Sequence, residues 1–491
     1  MLCRFFQHGL RVGDDISTSA RVFLSPFTNA SSKPMNLRRI AALSLFITPA
    51  LVPTPAQLKV IGYYPAWSTS ALPAANIRFN YLTHINHAFA FPDSSGNLRT
   101  RATWRIPDPD LISAAHAAGR KVSISLGGGA DSYDFPKMVA SQIKRAKFIS
   151  DLVAFMRSNG YDGADLDWEG PRNNVEKANL TSLVQEMRQA FTAANPSWIL
   201  TMAIGATNWS GQWHDYQTLK QYVDWFNIMT YDIHGSWSHA GHNSPLYSPT
   251  SGCNDGSIDF SVNYHFVGRG IPKSQLVVGV PFYGWRFECL EGYYGLYMPI
   301  TRAEQLTYAT IKERLDHGLG TRVWDDVCKV PYLTYAAIVL LSYDDSLSLS
   351  LKCKYVKENN LAGVMIWALG QDAVTPSSQP MMEAVGRAMQ ATTNVIADLR
   401  PPRSLALHDA YPNPFNPSTT ISYELPHSGY VSLKVVDVFG REVARLIDES
   451  REAGRGAVRF EASEFRLSSG TYFCVLTQGG IRAVKRLVFL K

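Results

Sequence analysis

From residue 57 to about 392 the chain alternates short apolar runs with stretches of helical periodicity. The runs are Leu58–Pro65, Leu82–Phe91, Lys121–Leu126, Tyr161–Glu169, Trp198–Gly205, Val223–Asp232, Leu276–Tyr283 and Ala362–Leu369. Each has the length of a strand. Between them, apolar positions recur every three or four residues. In Ala146–Ser158, Ile149, Leu152, Val153 and Met156 share a face, and Gly160 offers a left-handed stop. In Glu176–Ala194, Leu180, Leu183, Val184, Met187 and Phe191 do the same, and Asn195-Pro196 ends the run. Eight strands alternating with helices predict an α/β protein of the (β/α)8 TIM-barrel class, and about 330 residues suits a barrel with insertions. A doubly wound sheet is the alternative, but no Gly-rich phosphate fingerprint follows the first strand.

The longest gap between strands runs from Tyr283 to Ala362. It holds Glu291-Gly292-Tyr293-Tyr294-Gly295, a helix-like Glu304–Leu315 and Thr321–Lys329. It reads as an insertion between strands 7 and 8, over residues 285–345, that walls one side of a cleft. The plainer reading is a long loop followed by the barrel helix Ser346–Asn359. At Ala391–Ser404 helix formers give way to Thr, Asn, Pro and Arg, the composition of a linker (393–404). Beyond it lie short alternating runs: Thr420–Leu425, Val431–Val438, Glu442–Leu446, Val458–Glu461, Gly470–Thr477 and Ala483–Leu490. They predict a small all-β sandwich over 405–491. At the other end, Met35-Asn36-Leu37-Arg38-Arg39 precedes an apolar run, Ile40–Val52, and then Thr54-Pro55-Ala56. That is the layout of a signal peptide over 35–56, with residues 1–34 a misassigned extension before the true start. The apolar run falls short of the roughly 20 residues a membrane span needs, so no span is expected in the mature chain.

At 491 residues, two or three domains are expected. An apolar content of 46% with 18% charged residues describes a globular protein with a large core. The net charge of +6 is small for this length and makes no case for nucleic acid. Aromatic content reaches 12%, which suits stacking on sugar rings as well as core filling. The six cysteines include no C-x-x-C pair, and no zinc spacing of histidines is seen. Cys253, Cys289, Cys328 and Cys353 fall in one region and form two disulfides or remain free thiols.

One stretch carries the chemistry. In Tyr161–Glu169, acids occupy 165, 167 and 169, while Ala164, Leu166 and Trp168 occupy the alternate positions. Period two puts three carboxyls on one strand face, with Glu169 at the strand's end and Asp167 one inward step deeper. Crowding of like charges holds at least one of them protonated near neutral pH. A protonated carboxyl beside an ionised one is the equipment of glycosidic bond cleavage. A solvated acidic face or a divalent-cation site is the other use of such a run.

The barrel segment resembles glycoside hydrolase family 18, the chitinases and their relatives, over nearly all of residues 58–390. Residues 162–169 match the family's D-G-x-D-x-D-x-E. Ser125-Leu126-Gly127-Gly128 resembles its S-x-G-G, and Met229-Thr230-Tyr231-Asp232 with His234-Gly235 its sixth-strand motif. Gly279-Val280-Pro281-Phe282-Tyr283-Gly284 and Gly363-Val364-Met365-Ile366-Trp367 resemble the seventh and eighth strands. Gly170 departs from the Tyr often found before Pro171. The resemblance implies that Glu169 is the general acid and then base. The substrate's own 2-acetamido oxygen would be the nucleophile. It implies that Asp167 orients the acetamido N–H, that Asp165 shares its proton or charge, and that Tyr231 bonds the acetamido oxygen with Asp232 beside it. Trp367 would floor the site, and Met229 and Gly128 belong to the same motifs. Tyr63, Tyr64, Phe89, Trp237 and Tyr283 are cleft stackers or barrel filling, with Trp237 best placed to bind a sugar. No cofactor is implied.

The last segment resembles the C-terminal sorting domain of type IX secretion cargo, through Tyr411-Pro412-Asn413-Pro414-Phe415-Asn416-Pro417, Asp437–Val443 and Lys485-Arg486-Leu487-Val488. A carbohydrate-binding or spacer module is the rival. Together these imply a secreted or cell-surface endo-acting chitinase, exported across both membranes of a Gram-negative-type bacterium. Its partners would be chitin or N-acetylglucosamine oligosaccharides and the type IX machinery, and it would be a monomer. An endo-β-N-acetylglucosaminidase acting on glycoproteins, a non-catalytic chitin-binding lectin and a metal-dependent hydrolase are the competing readings.

Overall fold

A computed structural model describes residues 57–391 and 404–490, except 130, 250–255, 337, 411, 452–453 and 466. The expected extension, signal peptide and nearly all of the linker lie outside the described residues, as do Cys3 and Cys253. Eight parallel strands form the centre: β1 Lys59–Pro65, β2 His84–Pro92, β3 Lys121–Gly127, β4 Gly163–Asp167, β5 Ile199–Gly205, β6 Trp225–Met229, β7 Leu276–Pro281 and β8 Gly363–Trp367. Each pairs with its sequence neighbours, and β8 pairs with β1, which closes the barrel.

Alternation along the strands sorts the side chains. Ala164, Leu166 and Trp168 of the β4 segment face outward and pack with Leu180, Leu183 and Val184 of the helix Asn174–Ala194. Trp168 lies 5.4 Å from Phe135, nearly parallel to it. The opposite face of β4 points into the barrel, where Asp165 and Asp167 are buried. The helix Gln142–Asn159 ends on Gly160 at φ 76°, a left-handed conformation that glycine adopts without steric cost.

The insertion is a five-stranded antiparallel sheet. Its order is Ile300–Thr307, Tyr283–Cys289, Val339–Ser342, Val330–Tyr335 and Thr321–Asp325. The helix reading of Glu304–Leu315 fails over its first four residues. These pair with Tyr283–Arg286, and the helix proper spans Tyr308–Asp316 with Thr307 as its cap. The barrel helix Ser346–Glu358 follows, close to its expected range. Cys289, Cys328 and Cys353 are free thiols, so two disulfides among the four clustered cysteines do not form.

The C-terminal part is a sandwich. Ala406–Leu407, Ser418–Leu425 and Gly454–Glu461 make one sheet. Glu442–Arg451, Gly429–Val436, Gly470–Gln478 and Ile481–Phe489 make the other. Ile421 and Phe460 from the first meet Leu433 and Leu476 from the second in a core of their own. Among the described residues, no helix is long and apolar enough to cross a membrane.

Candidate active site

Strand register assembles the deepest layer. Ser125 on β3, Asp165 on β4 and Thr201 on β5 stand side by side. Asp165 accepts from Ser125 Oγ at 2.9 Å, Thr201 Oγ1 at 2.5 Å, Tyr63 Oη at 2.6 Å and Asn227 Nδ2 at 3.0 Å. Burial raises its pKa, and the four donors oppose that. Four donors on two oxygens fit an ionised carboxylate, which only accepts.

Asp167 lies above it, 4% exposed, and its Oδ1 has no hydrogen-bond partner among the described residues. Burial first, then the charges of Glu169 and Asp165, hold its pKa well above the usual carboxylate range. Of the two, Asp167 has the surroundings that favour a proton, and Asp165 has the donors that favour a charge.

Strand β4 ends at Asp167, so Glu169 is not the strand's last residue as expected. It stands one step beyond the barrel, its side chain exposed to the cleft. The loop after β3 grips it there. Glu169 N donates to Ser132 Oγ at 3.1 Å, Ser132 Oγ donates to Gly128 O at 2.8 Å, and Gly128 N donates to Asp167 O at 2.8 Å. Only glycine fits this crossing. A Cβ on Gly127 would lie 2.3 Å from Asp167 O, and one on Gly128 would lie 2.6 Å from the Phe89 ring. Both residues have positive φ. The surrounding walls raise the Glu169 pKa, the charge of Asp232 adds to this, and the Gly129 N–H opposes it.

Asp232 follows β6 at φ 55°, held by its N–H donating to Asn243 Oδ1 at 2.8 Å. Its Oδ1 accepts from Tyr283 Oη at 2.6 Å, Trp285 Nε1 at 2.8 Å and Gln305 Nε2 at 3.5 Å. All three donors come from the insertion sheet. Burial still raises its pKa. Tyr231 is 9% exposed and borders the cleft. Burial and the charges of Asp167, Asp232 and Glu169 hold it as a neutral phenol.

These groups open into a cleft of about 1120 Å³ that Met229, Gly128 and Trp367 also line. Around Trp367, Phe89 is stacked at 5.7 Å and Tyr63 tilted at 5.5 Å. Two aromatic banks flank the centre. Trp67 lies 6.2 Å from Phe89 and 4.8 Å from Trp104, on the β1 and β2 side. Arg101 sits 5.0 Å over Trp104 and pairs with Asp131. On the β5 and β6 side stand Trp209, 86% exposed, and Trp237, 64% exposed and edge-on to Trp285.

Phe89 and Trp237 thus reach the cleft. Tyr63, Tyr64 and Tyr283 do not stack there. Each is buried, and their hydroxyls donate to Asp165, Leu72 O and Asp232. Sequence reasoning missed Trp67, Trp104, Trp209, Trp285 and the Arg101–Asp131 pair. A tryptophan just past a barrel strand was the one available signal, and Trp67 follows β1 by two residues.

Residues 59–372 match the family described as glycosyl hydrolases family 18, and residues 409–490 match a secretion system C-terminal sorting domain. Chitinase A1 of Niallia circulans is 29% identical over 412 residues, covering 67% of this chain and 58% of that protein, so the chain spans under two thirds of that relative. The second catalytic domain of a Group II chitinase from Ostrinia furnacalis superposes with a TM-score of 0.63 at 28% identity, covering 68% of this chain and 96% of that one. A chitinase-like agglutinin from Robinia pseudoacacia superposes with a TM-score of 0.59 at 27% identity, covering 67% of this chain and 99% of that one.

Proposed function

This chain belongs to glycosyl hydrolases family 18, and from that premise we propose that it is a secreted, endo-acting chitinase that retains anomeric configuration. The observation that carries the reading is the arrangement of the three carboxyls nearest the cleft. All three line it, but Glu169 is the most exposed, Asp167 is buried with its pKa held well above the usual carboxylate range, and Oδ1 of Asp232 accepts from three donors. Burial favours the neutral form of Asp167, and the insertion sheet ties down Asp232, which supports a mechanism with no carboxylate nucleophile. The substrate's 2-acetamido oxygen then supplies the attack on the anomeric carbon.

In this mechanism Glu169 donates its proton to the leaving glycosidic oxygen, and its raised pKa, set first by burial, favours holding that proton. Asp167 orients the acetamido N–H through an unprotonated oxygen, and the charge of Asp165 beneath it steadies the positive charge that develops at the ring. Tyr231, a phenol at the cleft wall, donates to the acetamido oxygen. Glu169 next takes a proton from the water that opens the intermediate. Asp165 supports this through its fixed negative charge beneath Asp167. Trp367 and Phe89 pack under the reacting sugar. Trp67, Trp104, Trp209 and Trp237 give sugar faces to stack on along both sides of the centre. Aromatic surface on both banks favours cutting within a chain. The C-terminal match to a sorting domain supports export to the cell surface or medium by a type IX pathway. The likeness to an agglutinin keeps a lectin reading testable, and the glycoprotein-acting branch of the family shares the same catalytic needs.

The test incubates the chain and its Glu169→Gln variant with chitin oligosaccharides and with an N-glycosylated protein. Cleavage of chitin oligosaccharides, first products in the β configuration and a kcat lowered about 10²–10⁴-fold in the variant with binding retained are expected. Glycan release without chitin cleavage would move the assignment to the glycoprotein-acting branch. Sugar binding with no turnover of either substrate would leave a lectin.

A further inference from the structure

Away from the cleft, three side chains of metal-ligating type meet where the insertion touches the segment after β6. A ring nitrogen of His242, a carboxylate oxygen of Asp325 and the sulfur of Cys328 all lie within 4.8 Å of one another. His242 is 1% exposed and Cys328 fully buried, and the Asp325 side chain retains 19% exposure. His242 Nε2 sits 3.0 Å from Asp325 Oδ2. The N–H groups of Val327 and Cys328 each donate to Asp325 Oδ1 at 2.9 Å, which fixes the turn that brings carboxylate and thiol to the same side. The other ring nitrogen, Nδ1 of His242, is buried with no hydrogen-bond partner among the described residues. None of the three residues lines the cleft.

We propose that His242, Asp325 and Cys328 form a structural binding site for a divalent transition cation, zinc foremost. One nitrogen, one oxygen and one sulfur donor in a buried cluster is a ligand mix that zinc accepts. Calcium and magnesium take oxygen sets instead, which sets this cluster apart from theirs. Hydrogen bonds from His242 and Cys328 to Asp325, and one between Cys328 and Tyr297, account for the carboxylate, the thiol and one ring nitrogen, and they leave the buried Nδ1 of His242 as the atom that calls for an explanation.

The position gives the cation a purpose. Asn243, the next residue after His242, accepts the Asp232 N–H at 2.8 Å, donates through its own N–H to Ser342 Oγ at 2.8 Å and through Nδ2 to Tyr283 O at 3.2 Å. Leu246 N donates to Cys328 O at 2.9 Å. A cation held by His242, Asp325 and Cys328 staples the Thr321–Tyr335 hairpin to the segment that fixes Asp232 in its left-handed conformation. It belongs to the scaffold and takes no part in bond cleavage.

The full chain, purified without chelator, is the material for the test. About one zinc per chain is expected by elemental analysis. After stripping with a chelator the chain melts at a lower temperature, and added zinc restores the melting point. Cobalt added to the stripped chain produces a thiolate-to-cobalt charge-transfer band. Cys328→Ser removes that band and weakens cobalt uptake by about tenfold or more, while its metal-free melting point matches that of the stripped parent. His242→Ala weakens uptake to a similar degree. A stripped chain that takes up no more cobalt than Cys328→Ser overturns the proposal. So does finding Cys328 in a disulfide, revealed by a thiol that alkylates in denaturant only after reduction. Neither readout depends on sugar cleavage, so the outcome stands apart from the catalytic reading.

Discussion

Asp232 acts on Glu169 through its charge, and this sets a direction for a pH experiment. Burial raises the Glu169 pKa most, and the negative charge of Asp232 adds to it. Asp232→Asn removes that charge, so Glu169 loses its proton at lower pH. On the proposed mechanism the alkaline limb of kcat/KM moves toward acid in the variant, a shift that a pH–rate profile measures. Asp372 offers a second test, this one of stability. It is fully buried after β8, its Oδ2 accepts Met382 N at 2.9 Å, its Oδ1 has no partner among the described residues, and burial pushes its pKa up to about 7. A carboxyl raised in the folded state contributes stability that is complete below the ordinary carboxylate range and is lost as pH rises through about 7. Asp372→Asn carries no such loss. Urea unfolding at pH 5 and at pH 8 is expected to show the variant gaining on the parent by roughly 2–4 kcal/mol across that interval. Nothing around Asp372 in the sequence announced this, because its burial is a product of the helix Pro380–Gln390 folding over it.

At the scale of elements, the acidic strand was legible and its end was not. Period-two alternation through 164–168 sorts acids from apolar residues as read, with Ala164, Leu166 and Trp168 outward and Asp165 and Asp167 inward. The strand stops at Asp167 because the chain there turns under the glycine loop after β3, which no hydrophobic pattern records. The aromatic banks escaped for a related reason. Trp67 and Trp104 sit in irregular segments, where neither period marks a face. Gly128→Ala should show how tightly the glycine loop is packed. It forces a side chain at φ 77° and drives a methyl into Phe89, at a cost of about 1–2 kcal/mol or more. A lower melting point and a lower kcat/KM are expected, since Phe89 lies stacked on Trp367. On the proposed reading, Trp67→Ala and Trp237→Ala each weaken binding of long oligosaccharides by about 1 kcal/mol, roughly fivefold in KM. Short substrates that leave those banks empty should show little change, and comparing chain lengths checks it.

At the scale of the molecule, barrel, insertion and sandwich were all readable from periodicity and punctuation. What the sequence hid were meetings between distant residues. His242 and Asp325 stand 83 positions apart, so no spacing rule could pair them. The donors on Asp165 come from four different strands, and only closure of the barrel gathers them. The barrel and sandwich cores share no residue. A chain ending at residue 391 should therefore keep the cleavage rate of the full chain in a purified assay. On the proposed reading it should also fail to reach the medium of a cell that exports the full chain, which immunodetection in cell fractions would reveal.

The insertion sheet has a consequence for how such a protein is diversified. Its first two strands hold Asp232 through Tyr283, Trp285 and Gln305, and the charge of Asp232 adds to the burial that raises the Glu169 pKa. A lineage that exchanges this segment for another exchanges an electrostatic setting along with a wall. Such a graft would first change the acidity at which the enzyme works, with the barrel's own residues untouched.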